Sequence, residues 1–464
     1  MTPSSLDAPA AMQAILATFA DERYARTLDE LTTYEATHGQ SFQSLALRAE
    51  CLSRLGRHER ELDLYGQLEE FAGRPSSILV AKANCLRRLN RTNEAIDALF
   101  EALAENPSDG EPWWLLADLK SRPFEDTEVQ RIQSLLSEPR AASNVAALHF
   151  AFAKALEERN DIAGAMAHYR TGNSLRLAGN AVPPGGIRPK IDRAIATFTQ
   201  DFFAERADWG LKGFRPIFII GQHRAGSTLI EQILDCHPDV EGLGELPLIP
   251  QLVRRIATAT HAGGGDLFDR IASLDEATVR SYAEEYRDAL RDYRRSDRPR
   301  IVDKLPGNWS NVGLIALLFP DCAIVDARRH PMACGLSNFQ QNFSQSAPYT
   351  RDLTLFAAHY REYLRMIEHV DAVLPNRVIR IVNERLVADL EPTVRHLLEK
   401  ASLSFDPRCL DFHANRRNVR TPSANQVRRP IDPAMSRRWH AYRPYLTDLE
   451  SALGDALERW DDPR

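Results

Sequence analysis

No uninterrupted apolar run in the 464 residues approaches the roughly 18 that a membrane-spanning helix needs. The opening stretch, MTPSSLDAPAAMQAILATFADERYAR, has no basic region followed by a sustained apolar core, so it does not read as an export signal. Six cysteines (Cys51, Cys85, Cys236, Cys322, Cys334, Cys409) form no C-x-x-C pair, which favours reduced, buried thiols over a metal or disulfide framework. Charge of one sign is missing as well: 58 Lys and Arg against 64 Asp and Glu leave a net charge of −6, so no global field draws the chain to nucleic acid or anionic lipid. Any anion site must be local. A soluble, cytoplasmic protein without a nucleic-acid partner, a transmembrane segment or a metal is expected. At this length, with 44% hydrophobic residues, it should divide into two or three domains.

The first part of the chain repeats itself. LGRHERELDLYGQL and LNRTNEAIDALFEAL superimpose with Gly56 over Asn90, and the same step taken upstream from Gly56 lands on Glu22. That step, about 34 residues, is the period of tetratricopeptide repeats, in which antiparallel helix pairs stack on one another. Ala95, Ala102 and Pro107 stand where such a unit wants small residues and a closing proline, and Trp113 opens the next. LHFAFAKALEERNDIAGAMAHYRTGNSL puts Asn160 at a later turn; its separation from Asn90 is two units plus two inserted residues, with SRPFEDTEVQ as the expected irregular place. An all-α, tetratricopeptide-like array is therefore expected over residues 1–178. Whether it binds something on its concave face or only buttresses a neighbour is left open.

Proline and glycine concentrate in LAGNAVPPGGIRPKID, so residues 179–213 read as a connecting segment. Beyond it, short runs rich in β-branched residues (PIFII from 216, RIVDK from 300, CAIVDA from 322, RVIRIV from 377) alternate with helical patterns. This predicts an α/β domain over 214–464 with a mainly parallel sheet. Ligands of such sheets sit at the carboxyl ends of the strands.

Four clusters lie at those ends. In FIIGQHRAGSTLIEQIL, Gly221 and Gly226 keep the G-x-x-x-x-G spacing of a triphosphate-binding loop, but Ser227 and Thr228 follow where a lysine would reach the β- and γ-phosphates. Gly226 permits close approach to an anion, the hydroxyls and helix N-terminus donate to it, and Arg224 adds a fixed charge. In DARRHPMACGLSNF, Arg329 ends a strand and Ser337 follows on the next helix, where the two could grip a second phosphate. LDCHPDVEGLGELPLIP, the segment directly after the loop and its helix, carries Glu245. Lys304 follows a strand in VDKLPGNW, and a tail, NRRNVRTPSANQVRRPIDPAMSRRW, holds seven arginines between 416 and 438 against one acid, Asp432. Without interleaved aromatics that tail does not read as an RNA-binding surface.

Together these motifs resemble the sulfotransferases that use 3′-phosphoadenosine 5′-phosphosulfate, and the repeats upstream match the bacterial tetratricopeptide-containing members. The resemblance implies that Arg224, Ala225, Gly226, Ser227, Thr228 and Leu229 hold the 5′-phosphosulfate, with no need of a lysine for a β,γ-phosphate chain. Arg329 and Ser337 would hold the 3′-phosphate, and Ser423 and Arg438, in an S-x-x-Q-V-x-x-P segment ending in [KR]-W, would close over the nucleotide. The L-D-x-H-P turn resembles tyrosylprotein sulfotransferases and makes Glu245, which keeps that pattern's spacing from Arg224 without a gap, the implied catalytic base, with Lys304 and Arg224 stabilising the leaving oxygen. Gly244 departs from that pattern, which has an acid there, so peptide tyrosine, a glycan or a small molecule all stand as acceptors, and the repeats as their possible holder. A kinase that uses the loop for triphosphates, and a repeat scaffold with an inactive second domain, are the alternatives.

Overall fold

The computed structural model describes residues 7–72, 74–138, 142–178, 183, 185–259, 265–343, 347–415, 427–432 and 434–461. The repeat period shows directly in its helices: α1 (Ala8–Ala20), α2 (Tyr24–His38), α3 (Phe42–Arg54), α4 (His58–Ala72), α5 (Ser76–Arg88), α6 (Thr92–Glu105), α7 (Gly110–Leu119) and α8 (Asp126–Ser137). The odd-numbered helices start at Ala8, Phe42, Ser76 and Gly110, a constant step, and the even-numbered ones keep the same step from Tyr24 to Asp126. Between the two helices of a hairpin the chain must reverse within a few residues, which requires a left-handed residue. Glu22, Gly56, Asn90 and Asn160 supply it, with φ of 59, 73, 63 and 63°. Ala95 and Ala102 are buried where neighbouring helices approach closely, and Trp113 is buried in α7.

The irregularity falls elsewhere than expected. SRPFEDTEVQ keeps the register, because α8 starts on schedule; α7 ends early at Lys120, whose φ is 52°, and α8 opens with a reciprocal Glu125–Glu128 cap. The extra residues come later: α9 (Val145–Glu158) starts one position behind the step counted from α7, and α10 (Ile162–Leu177) two positions behind the step counted from α8.

The chain divides between Asp161 and Ile162, not after residue 178. Although α10 has a repeat-like sequence, its polar groups are used by the second unit: Asn173 donates to the Phe339 carbonyl at 2.7 Å and Arg176 to Asn342 at 2.9 Å. The connecting segment is partly helical, with α11 (Arg188–Thr197) and α12 (Gln200–Glu205), and also belongs to that unit.

Among the described residues the second unit holds five parallel strands, β1 (Ile217–Gly221), β2 (Val240–Gly242), β3 (Arg300–Lys304), β4 (Ala323–Arg328) and β5 (Val378–Val382), in the order β2-β3-β1-β4-β5. Ile217 pairs with Val302 on one side and Ala323 on the other. Strand β1 is buried at every position, as a central parallel strand must be. The chain leaves β1 through α13 (Ser227–Asp235) towards β2 and β3, then returns to β4 on the other flank. That reversal opens a crevice at the carboxyl ends of β1 and β4. No described helix is long and apolar enough to cross a membrane. All six cysteines are free thiols, five of them buried.

Candidate active site

The loop after β1 is held rigidly from outside. Gly221 has a φ of 138°, and a Cβ there would lie 2.4 Å from the Ala327 carbonyl oxygen, so only glycine lets β1 end beside β4. Arg224 takes a left-handed φ of 67°, a strained state that persists where its surroundings fix it. Those surroundings are α14 (Pro331–Phe339) and the end of β4: Asn338 donates to the His223 carbonyl at 2.7 Å, and Arg329 donates through Nη1 to the Arg224 carbonyl at 3.0 Å. Arg224 Nε in turn donates to Ser337 Oγ at 3.1 Å. Residues 113 and 105 apart in sequence thus meet in one polar knot. Gly226 caps α13 with a φ of 97° and no side chain of its own, so the helix's first N–H groups face the loop. Ala225, Ser227 and Thr228 are buried beside it, and Leu229 N–H closes the turn on the Gly226 carbonyl at 3.0 Å.

Glu245 is positioned by carboxylates beneath it. Asp235 accepts from the Gly242 amide at 2.7 Å and Glu231 from the Gly244 amide at 2.8 Å, while the Lys304 amide donates to the Gly244 carbonyl at 2.9 Å. The Glu245 carboxylate therefore reaches Lys304 Nζ at 2.5 Å. Their exposures differ sharply, 42% for the Glu245 side chain and 1% for Lys304, so the acid is the member of the pair open to a substrate. Beneath them Asp303 accepts from Tyr286 at 2.8 Å, and burial pushes its carboxyl up to about 7. Asp326 is spent on an ion pair with Arg328 at 2.7 Å.

Several buried polar atoms at the strand ends have no partner among the described residues. They are both amide atoms of Gln222, Asn308 Nδ2, Arg329 Nε, Asn338 Oδ1 and Glu384 Oε2. Such orphans are rare in folded proteins and call for a ligand or water. Arg438 is exposed at the head of a 3-10 segment; its neighbour Trp439 stacks on His330 at 4.8 Å, one residue from Arg329. Ser423 lies outside the described residues. Sequence reasoning passed over His223, although it is the one imidazole inside the loop, and over Glu231, Asn338 and Glu384, which carry no local signal.

A glycine-hinged strand–loop–helix turn facing a strand-end arginine across the switch point of a parallel sheet is an arrangement able to hold an anion. Residues 216–407 match the family model described as the sulfotransferase family, and that domain belongs to it; tetratricopeptide-like helical repeats precede it in the chain. An uncharacterized protein of Aquifex aeolicus (strain VF5) is 31% identical over 377 residues, 80% of this chain and 49% of its own, so the chain spans about half the length of that curated relative. The sulfotransferase domain of the Synechococcus PCC 7002 olefin synthase is 21% identical, covering 50% of this chain and 89% of its own, with a TM-score of 0.37. The TPR domain of P58(IPK) is 12% identical, covering 99% of this chain and 100% of its own, with a TM-score of 0.23.

Proposed function

We propose that the protein transfers a sulfuryl group from 3′-phosphoadenosine 5′-phosphosulfate to a hydroxyl or amine, with peptide tyrosine or a glycan as candidate acceptors. The observation that carries this reading is Arg329: its Nη1 is tied to the loop while its Nε is buried without a partner among the described residues, as a guanidinium awaiting a phosphate would be. Ser337, joined to the same knot through Arg224, stands ready to share that 3′-phosphate. The loop residues 224–229 and the first turn of α13 take the 5′-phosphosulfate. Glu245, the exposed member of its pair, takes the proton of the attacking hydroxyl. Lys304 and Arg224 stabilise charge on the leaving phosphate oxygen. Arg438 closes over the nucleotide. The inward commitments of Asp303 and Asp326 speak against a magnesium-clamped triphosphate at this site. The free thiols suit a reducing cytoplasm.

A thermal-shift comparison tests this reading, since a ligand of the native state raises its melting temperature by mass action. Adenosine 3′,5′-bisphosphate should stabilise the protein without magnesium and far better than 5′-AMP. Equal shifts with both would remove the 3′-site, and a shift with ATP and magnesium alone would replace the reading by a kinase.

A further inference from the structure

His223 takes no part in the reaction as described, yet it is the most constrained side chain of the loop. Its carbonyl accepts from Asn338 at 2.7 Å and from the Cys334 thiol at 3.1 Å, which fixes the backbone. Its Nδ1 lies 2.5 Å from the Tyr349 hydroxyl, which fixes one edge of the ring. The other edge, Nε2, has no partner among the described residues, and the ring is only half-buried.

The proton arrangement of this pair follows from what surrounds it. Burial raises the Tyr349 phenol far above its ordinary value, so it keeps its hydrogen. That ring lies flat on His359, centroids 3.6 Å apart, and its hydroxyl has no described hydrogen-bond partner except His223. A buried O–H without an acceptor is costly, so the phenol donates and Nδ1 accepts. The imidazole itself is held below its ordinary value by burial; nearby Glu245 opposes this, and Lys304 and Arg224 add to it. One ring proton then remains, and it sits on Nε2. The same three charged groups place the ring in the field of the proposed reaction centre.

We propose that His223, oriented by Tyr349, donates a hydrogen bond from Nε2 to an oxygen of the sulfuryl group being transferred. The proposal rests on the sulfuryl-transfer reading above. No bond is made or broken at His223; the acceptor's proton still goes to Glu245. A fixed, uncharged N–H stabilises charge spread over the sulfuryl oxygens without competing with Lys304 and Arg224 for the bridging oxygen.

The test needs no acceptor. Calorimetry should compare the phosphosulfate donor with adenosine 3′,5′-bisphosphate, which lacks the sulfuryl group. His223→Ala should weaken donor binding about 10-fold, the worth of one good hydrogen bond, while bisphosphate binding stays within about twofold. His223→Gln, which can present an N–H in a similar place, should recover most of the loss. Tyr349→Phe should cost about threefold on the donor alone, and ¹⁵N spectra of histidine-labelled protein should then show mixed tautomers where the native protein shows Nε2–H. Equal weakening of both nucleotides by His223→Ala, no weakening of either, or Nδ1–H in the native protein would overturn the role of His223 and leave the donor reading standing. A native protein that binds neither nucleotide would overturn both.

Discussion

Two buried polar clusters, one in each unit, use the same kinds of side chain to opposite ends. In the repeats, Glu61 is buried between α4 and α5, and its carboxylate is fully engaged. It meets His58 Nδ1 at 2.7 Å, the Tyr65 hydroxyl at 3.1 Å and Arg88 at 3.2 Å. In the sheet unit, Gln222 is 1% exposed, yet neither end of its amide meets a described residue, and Arg329, Asn308, Asn338 and Glu384 each have a buried atom without a partner among the described residues. The first cluster is a brace: the Glu61 carboxylate answers three groups at once, and what it supports is the stacking of one hairpin on the next. The second leaves buried atoms that no described residue satisfies. A folded protein keeps such a deficit where a ligand completes it.

The comparison breaks most visibly in turnover. If Glu245 is the base, Glu245→Gln should lower transfer to a hydroxyl by about 10²–10⁴-fold with bisphosphate affinity nearly unchanged. Lys304→Ala should also lose turnover, but through the leaving oxygen. A series of phenols separates the two, because an acceptor already ionised at assay pH needs no base and should rescue only Glu245→Gln. Near-normal turnover in Glu245→Gln would make Glu245 a structural partner of Lys304.

Stability should show the other side of the contrast. Glu61→Met removes the acceptor that His58, Tyr65 and Arg88 share; the half-buried Arg88 keeps Ser53 as a partner, so the loss falls on the buried imidazole and phenol and should be about 1–3 kcal/mol. Chemical denaturation of the full chain would measure this, and a loss below about 1 kcal/mol would mean that the brace is ornamental. Nucleotide binding should be untouched. In Arg329→Ala the weight shifts: bisphosphate affinity should fall by about 1.5–3 kcal/mol, the usual value of a charge-assisted contact, against about 1 kcal/mol of unliganded stability for the lost bond to the Arg224 carbonyl. An unchanged dissociation constant would move the 3′-phosphate elsewhere, to the arginines between 416 and 438.

The same contrast explains what could be read in the sequence. The repeats were legible because their order is local: helix starts recur at one fixed interval and the reversal falls on Glu22, Gly56 and Asn90. Their end was not, since α10 carries a repeat pattern while its polar partners, Phe339 and Asn342, lie 166 residues away. Four strands stood out as β-branched runs, but β2, three residues long, gave no periodicity to detect. At the site, the spacing of Arg224, Glu245, Lys304, Arg329 and Ser337 could be matched to a known pattern. The ion pair between Glu245 and Lys304 joins residues 59 apart and the His223–Tyr349 bond residues 126 apart, and no local signal reports either.

The smallest effect is the sharpest discriminator. Gln222→Met keeps the side chain's length and replaces an unbonded amide by an apolar thioether. Where a buried polar group already has its partners, as Glu61 does, such a change leaves those partners stranded and destabilises. Where it has none, the change removes a desolvation cost and leaves nothing behind, so it should be neutral or stabilising by up to about 1 kcal/mol in the unliganded protein. Saturating adenosine 3′,5′-bisphosphate should cancel or reverse that gain, because the amide then has something to bond and the methionine does not. The measurement is a pair of denaturation curves for Gln222→Met and the native chain, without and with the nucleotide. A variant less stable than the native protein by more than about 1 kcal/mol without ligand would show that ordered water already satisfies the amide, and that Gln222 belongs with Glu61 among the braces and not with the site.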